Sequence, residues 1–424
     1  MRHRIRIMMQ GWFLKGGVNM KRSKRSVVLL AASMLTLSAG SCLAGDVVWW
    51  TPNWGEARAR DLADKFMKAN PDTKIKIEVT TSDGLPQRVL TTLQSGAAPD
   101  IIEVQHGWVN GYAQNNLVAP LDDTLQDRSD YVPAALDYVT WNGKLWAVPY
   151  RIETLAVIYN KGHFKEAGLD PEKPPQTWDE FVKTATALTR EGRFGFAITG
   201  GGEVGNTIFR SLPFIWMNGG DIISKDAKTA LINKPEAVEA VKFYTDFYKK
   251  KISPTSTLEN DGIANRRLFI AEKVSMYQAG QFDLASIQKE NPKIDIGVMQ
   301  IPHPQGKNTA AILGGWSFIV PKSAKNPTEA KKFVQFLNTS ENQGYFTDTF
   351  PARVSSMKLP RFDEPILAGY KAMLPYGRPA PSHKNWVQIT QAYFNNIQGI
   401  MLGNEEPQEA MDNAADDIQS LLDE

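Results

Sequence analysis

Hydrophobic positions along this chain follow two rhythms in turn. Residues 46–51 (DVVWWT) form a short β-rich run, and from 56 to 69 the residues Ala59, Leu62, Ala63, Phe66 and Met67 recur at helical spacing on one face. Residues 73–80 (TKIKIEVT) alternate strictly, as a half-buried strand does, 87–95 reads as a helix, and 100–104 is an apolar strand after Pro99. A second series begins after Tyr150: strands at 155–159, 194–199 and 274–277, with helices at 178–189 and 235–249. The run 311–320 (AILGGWSFIV) is a strand interrupted by two glycines and leads through Pro321 to a helix at 327–339; three more helices are predicted over 365–374, 385–402 and 407–422. Strands and helices in alternation define the α/β class, a parallel sheet covered by helices, with ligands bound beyond the carboxyl ends of the strands. Those ends here are 50–54 and 105–108, both polar and aromatic.

The first 44 residues stand apart. They hold eight Lys and Arg and no acid, and the cluster 21–25 (KRSKR) precedes an apolar run over 27–37 and small residues over 39–44, the plan of a secretory signal peptide. That run is shorter than a membrane-spanning helix requires. Met20 fits the start of the leader better than Met1, with residues 1–19 an extension. Cys42 is the sole cysteine, so no disulfide framework or cysteine metal site exists. Cleavage after Ala44 would leave a cysteine-free periplasmic protein; the alternative is a lipid anchor through Cys42, although the usual Leu three positions earlier is Ala39. Without the leader, forty basic face 46 acidic residues, and a formal −6 with no Lys/Arg-rich stripe argues against nucleic acid as a partner. At 424 residues, two domains are expected.

No GxSxG, HExxH or GxxxxGK[ST] motif is present, and the five histidines lack metal-ligand spacing. The chain is therefore read as a non-enzyme without metal or cofactor. The indoles carry more information: Trp49, Trp50, Trp54, Trp108, Trp216, Trp316 and Trp386 fall near predicted strand ends or glycine-rich turns. Each alone is ordinary core material; together they suit a sugar, whose C–H face packs on a flat ring while nearby polar groups take its hydroxyls. Asn53, Glu56, Gln105, His106, Arg151, Glu153, Gln281, Asp283 and Arg353 are the polar groups at the corresponding turns.

The strings PDIIEV (99–104), GKLWAVPY (143–150), IYNKGHFKEAGLDPEKPPQTWDEF (158–181), FIAEKVSMYQAGQFD (269–283) and GGWSFIVPKSAKNPTEAKKFVQFL (314–337) resemble, in order, the landmarks of the maltose-binding-protein-like solute-binding proteins of carbohydrate ABC importers. The resemblance implies a two-lobed periplasmic binding protein fold, each lobe a sheet flanked by helices. The implied lobes are 45–153 with 314–360, and 154–313 with 361–424, and the chain would cross the hinge near 151–154, 313–314 and 357–363. It further implies a monomer that binds a sugar between the lobes and delivers it to a membrane permease with a cytoplasmic ATPase. The ligand residues it points to are Trp50, Trp54, Gln105, His106, Trp108, Glu153, Trp216, Gln281, Asp283, Gly315, Trp316, Arg353 and Trp386, with Glu56 beside them. Phe282 stands where the family often has Trp. Two rivals remain: a binder of glycerol phosphate or another anion, using Arg151, Arg353 or Arg378, and a secreted carbohydrate-active enzyme.

Overall fold

The computed structural model describes residues 45–81, 84–381 and 383–424; the leader, Met20 and Cys42 lie outside the described residues. The larger of two main sheets has six strands in the order Phe350–Pro351, Val148–Glu153, Gly314–Ile319, Ile101–Gln105, Val47–Pro52 and Ile75–Thr80. Val47–Pro52 runs parallel to both its neighbours, whereas Gly314–Ile319 is antiparallel to the two strands it separates. Alternation along the first strand buries Val47, Trp49 and Thr51. Trp49 fills the core beneath the sheet, its ring 6.1 Å from Phe318, 5.3 Å from Phe333 and 5.6 Å from Phe346. The helix Glu56–Ala69 supplies Phe66 to the same core and packs on the helices Pro327–Leu337 and Ser340–Phe346.

The smaller sheet places Ala156–Asn160 between Met276–Ala279 and Ile296–Met299, antiparallel to both. The helices Val204–Met217, Pro235–Lys249, Trp386–Leu402 and Pro407–Asp423 pack against one another beside it. The chain passes from the large sheet to the small one between Glu153 and Ala156. It returns through Leu313, after Ala311–Ile312 has paired in parallel with Gly377–Arg378. The two passages lie side by side, because Gly314 pairs with Glu153.

Three elements differ from the sequence reading. Residues 194–199 make only two isolated parallel bridges, Phe194 to Val274 and Ala197 to Tyr277. Gly195 lies so close to the Ala185 carbonyl that a Cβ would stand 1.8 Å from it, and the amides of Ile198 and Thr199 donate to the hydroxyls of Ser253 and Tyr244 instead of to a neighbouring strand. The expected single strand at 311–320 is two, separated at Leu313. Residues 365–374 form a three-ten turn, Pro365–Leu367, and a short helix, Ala368–Met373, rather than one continuous helix. The periodicity also gives no sign of Val204–Met217, which is buried on most sides and carries Pro213 in its interior.

Candidate functional site

Trp54, Trp108 and Trp316 meet at the carboxyl ends of the parallel strands. Trp54 sits in the turn Asn53–Gly55 that ends the first strand, and Trp108 in the turn His106–Trp108 that ends the third. Trp316 lies on the strand whose register sets it opposite Gln105. Ring centroids are 4.9 Å apart for Trp54 and Trp316 and 6.0 Å apart for Trp108 and Trp316, edge to face in both pairs, the geometry that aromatic quadrupoles favour. Trp316 is buried, whereas Trp54 is 36% exposed.

Beside this aromatic group lies a buried charge cluster. Arg151 donates from Nε and Nη2 to Glu153 Oε2, at 3.0 and 2.6 Å, and from Nη1 to Asp348 at 2.6 Å; its Cζ is 5.9 Å from the Trp54 ring. One guanidinium thus holds two carboxylates, with two donors on a single oxygen of Glu153 and one donor on Asp348. His106 is locked behind it: Nε2 donates to the Arg151 carbonyl at 3.0 Å, which leaves Nδ1 to accept from the Ser317 hydroxyl at 2.6 Å. Burial keeps this ring neutral, with its pKa pulled down to about 3. Gly315, at φ +148°, packs where a Cβ would stand 2.1 Å from the Arg151 carbonyl oxygen and 2.4 Å from His106 Nε2.

The helix Val204–Met217 faces the crossing strands with two aromatic residues seven apart. A Cβ on Gly314 would stand 3.1 Å from Phe209 Cζ and 3.1 Å from Glu153 Cγ, so Phe209 borders the carboxylate cluster. Trp216 donates its indole N–H to Asp221 Oδ1 at 2.9 Å, and the Arg378 guanidinium lies over its ring at 3.7 Å. Arg378 reaches Asp221 at only 3.4 Å and is otherwise half open to solvent.

The remaining sequence candidates divide. Gln105 is exposed at its strand end beside Trp316, and Gln281 is buried in the turn after Met276–Ala279. Trp50 is not brought to the indole group: it donates to Glu78 at 2.8 Å and lies under Arg88, because its side chain leaves the strand on the side opposite Trp49. Glu56 accepts from Arg60 one helical turn on. Asp283 is buried against Arg266 and Tyr277, at 2.7 and 3.0 Å, with its pKa raised by burial. Arg353 is occupied by Asp130 at 2.8 Å, by the Asn338 carbonyl at 2.9 Å and by the Tyr131 ring. Trp386 opens the helix Trp386–Leu402 half-buried against the core. Phe282 folds over Gly280, where a Cβ would meet its ring at 2.1 Å. Sequence reasoning missed Phe209, which lies in the unanticipated helix, and Asp348, whose role depends on a partner 197 residues away. Among the described residues no group of three or more His, Cys, Asp or Glu could hold a metal ion, and no helix is long and apolar enough to cross a membrane.

Paired indoles and carboxylates at the strand ends, with a second α/β region facing them, are the features of a solute-binding protein of two lobes. The sequence profile of the bacterial extracellular solute-binding proteins matches residues 52–344, and the chain belongs to that family. A binding protein of Brucella abortus (strain 2308) is 26% identical over 407 residues, covering 93% of this chain and 97% of the relative. The sn-glycerol-3-phosphate-binding periplasmic protein UgpB of Salmonella typhimurium is 27% identical over 440 residues, covering 94% and 98%. Among solved structures, an ABC transporter solute-binding protein from Thermotoga lettingae bound with α-D-tagatose superposes with a TM-score of 0.80 at 23% identity, covering 89% of this chain and 99% of that one. The fold is the two-lobed periplasmic binding protein fold.

Proposed function

We propose that this chain binds a sugar in the cleft between lobes formed by 45–153 with 314–360 and by 154–313 with 361–424, and hands it to an ABC permease driven by a cytoplasmic ATPase. The observation that carries this reading is the half-exposed Trp54 ring, supported edge-on by the buried Trp316 and flanked by the Arg151–Glu153–Asp348 cluster. A flat apolar face beside oriented carboxylates matches the C–H face and the hydroxyls of a pyranose. Phe209 and the Trp216–Arg378 pair form the facing wall. Of the sequence candidates, Trp54, Gln105, Trp108, Glu153, Trp216, Gln281 and Trp316 remain ligand residues in this reading; His106 and Gly315 shape the floor; Trp50, Glu56, Asp283, Arg353 and Trp386 serve the scaffold. Closure of the lobes over the sugar needs contacts from both sides, so affinity and conformation are linked. Export through the leader, with cleavage after Ala44, places the protein in the periplasm.

A thermal-shift panel of mono-, di- and oligosaccharides, polyols and sugar phosphates tests the reading, because a ligand of the native state raises its midpoint by mass action. Trp54→Ala should weaken the sugar so identified by about 2 kcal/mol, roughly thirtyfold, while leaving the ligand-free midpoint nearly unchanged. Equal affinity in the variant would remove Trp54 from the site. The anionic reading draws on Arg378, which retains donors toward solvent, whereas Arg151 and Arg353 have theirs engaged. It is favoured if sugar or glycerol phosphates shift the midpoint where their neutral parents do not, and if that shift disappears in Arg378→Gln. Release of shortened products from an oligosaccharide would instead mark an enzyme.

A further inference from the structure

Residues 378–381 read Arg-Pro-Ala-Pro. Neither proline has an N–H, so Ala380 carries the single backbone donor of the last three residues, and each residue preceding a proline is confined to extended backbone. Its last three residues are therefore stiff and have one backbone hydrogen bond to give. They give it across the molecule: Ala380 N–H donates to the Tyr138 hydroxyl at 2.7 Å, 242 residues away. Tyr138 belongs to the helix Pro133–Val139, which packs on the large sheet at Val148–Glu153.

Both ends of the segment are tied. At its start the Arg378 guanidinium covers Trp216, and the Arg378 carbonyl accepts from Leu313 N–H at 2.9 Å, at the point where the chain returns between sheets. At its far end the Tyr138 ring lies 5.7 Å from His106 at an interplanar angle of 33°. His106 in turn is fixed to Ser317 and to the Arg151 carbonyl, next to Gly315 and Trp316.

We propose that Arg378–Pro381 is an interlobe strap and that Tyr138 is a positioning residue which fastens it, coupling the relative placement of the lobes to the floor beneath the indole group. The inference rests on the lobe division proposed above but not on what the ligand is. A stiff Pro-Ala-Pro stretch with a single backbone donor suits this task. It cannot satisfy that N–H by local rearrangement with its neighbours, so separating the lobes exposes the donor and the Tyr138 hydroxyl together.

The test uses the whole mature chain without ligand. Tyr138→Phe keeps the ring against His106 and removes the acceptor; Ala380→Pro removes the donor and leaves Tyr138 in place. In Tyr138→Phe the Ala380 amide should exchange with solvent about tenfold faster than in the wild type, and small-angle scattering of both variants should give a larger radius of gyration at unchanged helix content. A folded Tyr138→Phe protein with wild-type exchange at Ala380, or wild-type scattering in both variants, would overturn the strap. If one variant fails to fold, the other and the wild-type Ala380 protection decide. A sugar that still shifts the wild-type midpoint while the strap fails would leave the proposed function standing.

Discussion

A methyl group at Gly315 would meet two fixed neighbours at once, the Arg151 carbonyl and the His106 ring, on a backbone with φ +148° that L residues rarely adopt. Neither neighbour can retreat, since one belongs to a central strand and the other is hydrogen-bonded on both nitrogens. Gly315→Ala should cost about 3 kcal/mol of unfolding free energy, measured by urea titration. Nearby, Glu103 is buried with its Oε2 accepting from Tyr150 at 2.6 Å, and burial pushes its pKa up to about 8. The unfolded chain releases this proton near 4.5 and the folded chain near 8, so between those values the unfolded state holds fewer protons and stability falls as pH rises. Buried His106 acts oppositely: unfolding lets it take a proton below 6.5, so its effect is a loss of stability toward acid, and buried His163 adds to it in the same direction. From 6.5 to 8 Glu103 acts without that opposition. Unfolding midpoints should decline over this interval in the wild type and stay level in Glu103→Gln; a matching decline in the variant would show that Glu103 ionises normally. Residue identity alone could mark His106 and Arg353 as polar groups at turns. It could not show that their partners, Ser317 and Asp130, arrive from 211 and 223 residues away and consume their hydrogen-bonding capacity.

Elements were legible where one face is wet. Glu56–Ala69 and Pro235–Lys249 match the sequence reading to the residue because each has a buried stripe and a solvated remainder. Val204–Met217 escaped notice for the converse reason: burial on most sides erases the period, and Pro213 argues locally against a helix. The failed strand at 194–199 shows a different limit, since the amides of Ile198 and Thr199 at its end go to side chains about fifty positions later. Where both ends of an element are written locally, a local change should have a local effect. Thr177 accepts from the amide of Glu180 and the Glu180 carboxylate accepts from the amide of Thr177, a reciprocal cap on Trp178–Leu188. Thr177→Ala should lower stability by about 1 kcal/mol without altering ligand affinity, read from paired denaturation and binding titrations.

At the scale of the molecule, the family landmarks and alternating elements disclosed two α/β regions, but the grouping of Trp54, Trp108 and Trp316 depended on how strands distant in sequence are ordered in the sheet. That order has a consequence for manufacture. Gly314–Ile319 separates Ile101–Gln105 from Val148–Glu153 in the large sheet. A ribosome that has released residue 300 has therefore made every strand of the small sheet, yet has left the large one with its middle missing. Domains usually fold as they emerge, amino-terminal first; here the sheet begun first is completed after the sheet begun second. A chain ending at residue 312 should show protected amides in Ala156–Asn160 and Met276–Ala279 and unprotected ones in Val148–Glu153, by hydrogen exchange. Protection across both sets would mean that the sheet closes around the gap. If the large sheet does wait and the chain is exported as proposed, the nascent chain reaches the export machinery with half of its body still unable to fold, so the order of the strands itself keeps the protein threadable until synthesis is nearly done.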